Sequence, residues 1–345
     1  MRKERENKKI VVALSGGVDS SVVAALLKKE KGVEATGAFM RLNGLSSQAE
    51  KRARKVAKIL HIPFFVFNFE KEFKKKVVSC FLQESGKGLT PNPCVVCNKK
   101  IKFGLFLEKA LRLEADFIAT GHYARIRNGC LLAARDKNKD QSYFLWQLSQ
   151  KQLKKVLFPI GGYTRQEVEK MAEKFKLPFA GVRKSQEICF APKTVEEFLK
   201  RRLKSKTGQI IDVSGNILGK HEGLHLYTIG QRKGIRLSGG PFYVLDKDFK
   251  KNTLIVTKNE KDLFKKELLV SQINWLSGQE PVFPLRINAK IRYRQKSATA
   301  TIAKKLKSGR YKLSFNKAQR AVTPGQSVVF YRGLEVLGGG IISPN

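Results

Sequence analysis

The run Ile10-Val-Val-Ala-Leu-Ser-Gly-Gly-Val-Asp-Ser-Ser21 limits what this chain can fold into more than any other stretch. Ile10 to Leu14 is a short apolar block, suited to a strand buried on both faces of a parallel sheet. Ser15, Gly16 and Gly17 then turn the backbone, and glycine permits positive φ and a close approach of main chain to ligand. Asp19 and Ser20 are suited to cap a helix over residues 21–30. Strand, glycine turn and helix N-terminus in that order build an anion site, because free N–H groups point outward and the helix dipole favours negative charge. A plain strand–turn–helix would use the glycines for geometry alone, but a run this polar is more than a turn requires.

The common ATP loop, G-x-x-x-x-G-K-[ST], puts a lysine on the phosphates. No lysine follows these glycines. The Ser-Gly-Gly-x-Asp-Ser pattern resembles instead the PP-loop of the N-type ATP pyrophosphatases. In that family the loop holds the pyrophosphate that leaves when an acceptor oxygen is adenylated. Residues 35–40 and 64–68 read as further short strands, with a basic helix over 47–60 between them. Residues 115–125 read as a strand ending in a loop at Gly121 and His122. Strands alternating with helices predict an α/β fold with a doubly wound parallel sheet, whose ligands sit at the carboxyl edge of the strands. Met40 ends its strand at that edge, where it either touches an adenine or belongs to the core.

Beyond residue 203 the pattern changes to short strands with glycine turns, over 208–213, 217–219, 224–234, 242–245 and 253–257. A second β run follows, over 285–293, 298–306, 311–315, 327–331 and 336–342, at a spacing that suggests a small barrel. The expected units are a catalytic domain over 1–203, a central β-rich domain over 204–268 and a C-terminal β-barrel over 269–345. The chain carries 68 Lys and Arg against 29 Asp and Glu, a formal charge of +39, which favours polyanions and points to nucleic acid. A lysine-rich, soluble surface explains part of that excess. No window of 18 apolar residues exists, so no membrane span is expected. The opening Met1-Arg-Lys-Glu-Arg-Glu-Asn lacks the apolar core of a signal peptide, and a cytoplasmic protein is expected.

Five cysteines in a chain of this length are not a disulfide framework. The informative pair lies in Thr90-Pro-Asn-Pro-Cys94-Val-Val-Cys97-Asn-Lys-Lys-Ile-Lys-Phe103. The prolines are expected to keep the first half irregular, with a helix starting near Asn98 and running to Leu113. Cys97 would then stand at a helix N-terminus beside Lys99, Lys100 and Lys102, and both effects favour a thiolate. Cys94-x-x-Cys97 is also half of a zinc knuckle, but no second ligand pair follows. Cys189, between Ile188 and Phe190, reads by itself as a buried inert thiol. Thr164 with Glu167 forms a capping box for a helix over 165–175.

Together these stretches resemble the tRNA-specific 2-thiouridylases nearly end to end. The likeness rests on residues 14–20, Thr90-Pro-Asn-Pro, Cys97-Asn-Lys, Ile101-Lys-Phe, Ala119-Thr-Gly-His-Tyr-Ala124, Lys139-Asp-Gln-Ser-Tyr-Phe-Leu145, Ser185-Gln-Glu-Ile-Cys-Phe190, Tyr227-Thr-Ile-Gly-Gln-Arg-Lys-Gly234, Lys290-Ile-Arg-Tyr-Arg-Gln295, Val322-Thr-Pro-Gly-Gln326 and Leu337-Gly-Gly-Gly340. The resemblance implies ATP-dependent 2-thiolation of the wobble uridine of tRNA, with Cys97 the nucleophile and Cys189 the persulfide carrier. It implies ATP binding by Ala13, Leu14, Ser15, Gly16, Gly17, Val18, Asp19, Ser20, Met40 and Gly121. Asn92, Pro93 and Cys94 would meet the target base. His122, Lys139, Asp140, Gln141, Arg292, Tyr293 and Gln326 would contact tRNA. ATP and Mg²⁺ are the implied cofactors, with Asp19 a candidate for the metal. The implied partners are tRNAs reading Lys, Glu or Gln codons and a cysteine desulfurase or sulfur-relay protein as persulfide donor. The chain is expected to be a monomer.

Three departures from the family pattern stand out. Cys94 occupies a position where some members carry Asp, Lys184 one where Asp is expected, and the segment after Met40 is shorter than usual. Rival readings are a PP-loop amidotransferase-type synthetase, an RNA thiolase with an iron–sulfur cluster, and a non-enzymatic basic RNA-binding protein. The first leaves the two thiols without use. The second needs a third cysteine at cluster spacing. The third leaves the loop at 15–20 unexplained.

Overall fold

The computed structural model describes residues 7–44, 47–178 and 188–344. Lys184, the Ser185-Gln-Glu stretch and most of the opening heptad lie outside the described residues.

The first seven strands are β1 (Lys8–Ala13), β2 (Val33–Arg41), β3 (Phe64–Asn68), β4 (Phe117–Ala119), β5 (Ala124–Arg127), β6 (Cys130–Ala133) and β7 (Val156–Leu157). Five of them form a sheet in the order β3-β2-β1-β4-β7, parallel throughout. Chain order reverses at β1, whose neighbours are β2 on one side and β4 on the other. The loop after β1 therefore leaves the sheet at a topological switch point, where open α/β sheets bind ligands. Ile10 through Ala13 are buried on both faces, which accounts for the unbroken apolar run. Helix α1 (Val18–Lys29) follows β1, and α2 (Ser47–Ile59) follows β2.

The expected strand over 115–125 is two elements. Phe117–Ala119 stays in the parallel sheet, and Ala124–Arg127 turns away to form a hairpin with Cys130–Ala133.

The central unit holds β8 (Gly208–Ile211), β9 (Ile217–His221), β10 (Tyr243–Asp248) and β11 (Thr253–Thr257), ordered β10-β11-β8-β9. The stretch over 224–234 is not a strand. It opens with a short 3₁₀ turn, Leu224–Leu226, and Gly230 and Gly234 take positive φ.

The last six strands are β12 (Phe264–Trp275), β13 (Leu285–Lys290), β14 (Ala298–Lys305), β15 (Tyr311–Arg320), β16 (Ser327–Arg332) and β17 (Glu335–Ile342). They run β12-β15-β14-β13-β16-β17, and β12 also pairs with β17, which closes an antiparallel barrel. Strand β12 was not legible in the sequence, because its first third, Phe-Lys-Lys-Glu, lacks an apolar alternation. It starts ahead of the expected boundary at 268/269, and its first residues already pair with β15. The hairpin β5–β6 joins the barrel sheet through β17, with Glu335 opposite Leu132. Tyr143 and Trp146, both fully buried, bond Ser327 of β16 through its carbonyl (2.8 Å) and its hydroxyl (3.0 Å). Among the described residues no helix is long and apolar enough to cross a membrane.

Candidate active site

Helix α1 begins at Val18, earlier than expected, with Gly17 as N-cap and no side chain closing it. Asp19 and Ser20 lie inside the first turn. Ser20 clamps the loop instead of capping the helix. Its hydroxyl accepts the Ser15 N–H (3.1 Å) and donates to the Gly17 carbonyl (3.1 Å), and Ser21 donates to the same carbonyl (2.9 Å). The first-turn N–H groups are thereby left pointing out of an uncapped helix end, as an anion site needs. Gly16 has φ +74°, and a Cβ there would stand 2.2 Å from the Ala49 carbonyl oxygen of α2. Arg52 of α2 donates to the Gly16 carbonyl (3.0 Å), so α2 lies across the loop.

Asp19 points elsewhere. Its Oδ1 accepts the Tyr123 hydroxyl (2.9 Å) and Arg165 Nη1 (2.5 Å). Mg²⁺ usually takes one or two carboxylates, phosphate oxygens and several waters. Asp19 fits as one such carboxylate, shared with Arg165. Among the described residues no three His, Cys, Asp or Glu side chains group as metal ligands. Met40, the last residue but one of β2, packs half-buried against the core cluster that contains Cys97. Gly121 presses on the loop from the other side, where an added Cβ would lie 2.8 Å from the Ser20 nitrogen.

Two of the thiols lie on the helix that follows the Thr90 strap. The helix begins at Pro93, not at Asn98, with Asn92 as N-cap and proline at the first position, where its missing N–H costs nothing. It runs from Pro93–Cys97 straight into a π-helical stretch, Asn98–Leu105. Cys97 is therefore interior to a continuous helix and buried, and the expected N-terminal activation is absent. Burial pushes its thiol up to about 12, against the pull of Lys102, and the nearby Cys189 and Cys94 add to the rise. Burial also raises Cys94 and Cys189, and Lys102 again opposes. Cys189 is exposed as a residue, where its neighbours suggested burial, although the protein around its sulfur is what raises the thiol. Three thiols thus lie within electrostatic reach of one lysine, Lys102, and neither Lys99 nor Lys100 acts on them.

His122, expected at the tRNA surface, is buried between Phe103 and Phe158 at ring distances of 5.5 and 5.9 Å. Its Nδ1 meets Thr120 Oγ1 (2.7 Å) and its Nε2 meets Lys102 Nζ (3.4 Å). Burial, then the Lys102 charge, hold the imidazole well below its usual range, so it is neutral. Gly121 touches the phosphate loop and His122 touches the lysine of the thiols, so this dipeptide joins the two halves of the site.

The other expected tRNA contacts divide by exposure. Lys139 is exposed. Asp140 is buried, accepting the N–H groups of Ala134 (3.0 Å) and Ser142 (3.1 Å) and pairing with Lys290 (3.5 Å), so it is a structural anchor. Gln141 bonds the Tyr123 N–H through its side chain (2.9 Å). Arg292 spends Nη2 on the Ile229 and Ala321 carbonyls (2.9 and 3.1 Å) and on Thr323 Oγ1 (2.7 Å), which ties the central unit to the barrel. Tyr293 lies against Phe144, with ring centroids 4.4 Å apart. Gln326 donates to the Thr90 carbonyl (2.7 Å), holding the strap that leads to Asn92 and Cys94.

Three family models match in succession: a tRNA methyl transferase HUP domain over residues 8–193, a tRNA methyl transferase PRC-barrel domain over 196–258, and an aminomethyltransferase β-barrel domain over 265–342. The tRNA-specific 2-thiouridylase of Halothermothrix orenii is 44% identical over 98% of this chain and 99% of its own length. A tRNA-specific 2-thiouridylase of Caldanaerobacter subterraneus is 46% identical over 97% of this chain and 98% of its own. The chain belongs to the tRNA-specific 2-thiouridylase family. Within this 2-thiouridylase the sequence did not single out Lys102, Arg165, Tyr123 or Arg52. Lys102 was one of three equivalent lysines until the π-helix chose among them. Arg165 reaches Asp19 from a helix start that sequence reading treated only as a capping box, which the structure does contain.

Proposed function

We propose that this enzyme thiolates the wobble uridine of tRNA at C2, using ATP and a cysteine persulfide. The observation that carries the reading is the Gly121–His122 dipeptide, which packs against an uncapped phosphate-type loop on one side and on the other meets Lys102, the lysine within electrostatic reach of Cys97 and Cys189. A uridine C2 oxygen is a poor leaving group. Its attack on the α-phosphorus of ATP forms an O–P bond and releases pyrophosphate, which the N–H groups around residues 15–20 retain. Ala13, Leu14, Val18, Met40 and Gly121 frame the nucleotide. Mg²⁺, with Asp19 as one ligand, offsets phosphate charge when bound.

The exposed Cys189 takes sulfur from a donor protein as a persulfide. The terminal sulfur attacks C2, and AMP departs with the oxygen. Cys97 then attacks the inner sulfur of Cys189, leaving the thiocarbonyl on the base and a Cys97–Cys189 disulfide, which a cellular thiol reductant reopens. Asn92, Pro93 and Cys94, at the start of the helix that carries Cys97, are the groups this reading assigns to the target base. An unstacked anticodon-loop base reaches such a pocket at low cost. The wider tRNA surface runs from Lys139 to Tyr293 and the barrel.

The test is single-turnover thiolation of unmodified tRNA reading Lys, Glu or Gln codons, with ATP–Mg²⁺ and a persulfide donor. 2-Thiouridine and AMP are followed by mass. Cys97→Ser and Cys189→Ser are expected to abolish product, and Cys94→Ser to retain it. Loss of activity in all three would make the cysteine pair at 94 and 97 a unit. AMP without thiolated tRNA would place the acceptor or the sulfur route elsewhere.

A further inference from the structure

Burial sets Cys97 a difficulty: a thiol pushed up to about 12 is almost wholly protonated at neutral pH, yet sulfur transfer needs the thiolate. The structure offers one cation to that pocket among the described residues, and it does so through an unusual backbone. Asn98–Leu105 is π-helical, and the N–H of Phe106 bonds the carbonyl of Ile101, five residues back. In an α-helix, residue i+5 lies about 140° round the axis from residue i. A wider turn closed by i→i+5 bonds brings i+5 back over residue i. Lys102 is five residues beyond Cys97, so the widened turn swings residue 102 back toward the side of the helix that bears Cys97. Such bulges occur often at functional sites.

The lysine is then aimed. An ammonium can only donate, so at the 3.4 Å contact His122 Nε2 is the acceptor and Nδ1 carries the ring proton toward Thr120 Oγ1 (2.7 Å). The imidazole is fixed by that bond and by Phe103 and Phe158 on either side. It stays neutral, so it orients Lys102 without supplying charge. One of the three ammonium protons goes to the histidine, and the charge stays within electrostatic reach of Cys97, Cys94 and Cys189.

We propose that Lys102, brought to the thiol pocket by the π-helical turn and aimed by His122, is the cation that holds the Cys97 thiolate during sulfur transfer. His122 is a positioning residue in this arrangement. The inference rests on the sulfur-transfer reading above but is tested apart from it. The titratable groups facing the pair are Cys94 on the same helix, Cys189 on its loop and His122 behind β4, with Tyr293 of the barrel end near Cys94. No proton is created or lost. The Cys97 proton leaves to solvent, and the ammonium stays charged beside the sulfur.

The experiment is the pH dependence of iodoacetamide alkylation at Cys97, read by peptide mass spectrometry in the full-length Cys94→Ser protein, with folding checked by near-ultraviolet circular dichroism. Lys102→Gln is expected to slow alkylation about tenfold at pH 7.5 and to move the profile up by about one pH unit, since one unit is a tenfold change in thiolate. Lys102→Arg should stay within about threefold of the parent, because it keeps the charge. His122→Asn, with Lys102 in place, should slow the reaction about threefold, and it carries the test if Lys102→Gln does not fold. A Lys102→Gln profile that superimposes on the parent overturns the proposal, as does Lys102→Arg being as slow as Lys102→Gln. Each outcome stands whether or not the enzyme thiolates tRNA, so failure here is distinct from failure of the function above.

Discussion

Glu50 controls the phosphate loop from a distance. Arg41, at the end of β2, grips both of its oxygens (2.6 and 2.9 Å), and Arg54 adds a bond from within α2. The Arg41 bond chiefly, resisted by burial and helped by Arg54, draws the carboxyl down to about 2 from its ordinary 4.5. Glu50 thereby anchors the segment of α2 that lies across Gly16. A carboxyl lowered on folding adds stability above its unfolded value and loses that contribution as pH falls through the folded value. Glu50→Gln should therefore cost stability at pH 7, on the order of 1 kcal/mol after allowing for half-exposed arginines. In urea titrations the difference from the parent should shrink as pH drops from about 4.5 to 2. A difference independent of pH would remove the ion pair from the account. At this scale the sequence was informative for chemistry and poor for surroundings. Gly16 and Cys97 stood out by type and spacing, whereas Cys189 read as an inert thiol until the family resemblance singled it out. The burial that makes Cys97 a reluctant thiolate, and the neutral buried state of His122, come from residues distant in the chain, Phe158 and Phe190 among them, which no local pattern brings together.

The elements show why the strap from Thr90 to Pro93 is so rigidly placed. Its anchors come from the barrel: Gln326 on the Thr90 carbonyl, and the Pro324 carbonyl on the Thr90 N–H (3.0 Å). Lys247 of β10 adds a bond to the Gly88 carbonyl (2.6 Å). Gly325 makes this docking possible, with φ +89° and a Cβ position 2.8 Å from the Thr90 nitrogen. Gly325→Ala should strain the turn by about 1–3 kcal/mol and displace the strap. Single-turnover thiolation is expected to fall at least tenfold while ATP binding by the distant loop holds. Equal loss of both would show that the whole fold had moved. Most element positions were readable from hydrophobic period and caps, and the Thr164 capping box is an instance. The π-helical turns were not readable, since propensity does not distinguish a widened turn from an α-helical one. Strand β12 was hidden by its charged start.

For the whole molecule, the charge of +39 sits on a frame of three units tied by specific bonds. Arg292 links the central unit to the barrel, and Tyr143 and Trp146 link the catalytic unit to it. A tRNA spanning such a surface displaces many counterions. Affinity measured by filter binding should drop at least about tenfold between 50 and 200 mM salt, the behaviour of a protein that neutralises several phosphates. A flat salt response would mean that the excess lysines face away from the RNA. The fold class and the order of the units followed from the sequence, because each unit carries its own periodicity. The joints did not, because they consist of single residues whose partners lie in another unit.

The hairpin Ala124–Arg127 and Cys130–Ala133 is made early in the chain, yet its outer neighbour is β17, the last strand. The gene inherits a consequence from this arrangement. Loss of the final strand would open the barrel, uncover the hairpin edge and take Gly339 away from Trp146, so a premature stop near codon 335 is expected to abolish function. For the same reason the catalytic unit expressed alone is expected to fail as a working fragment.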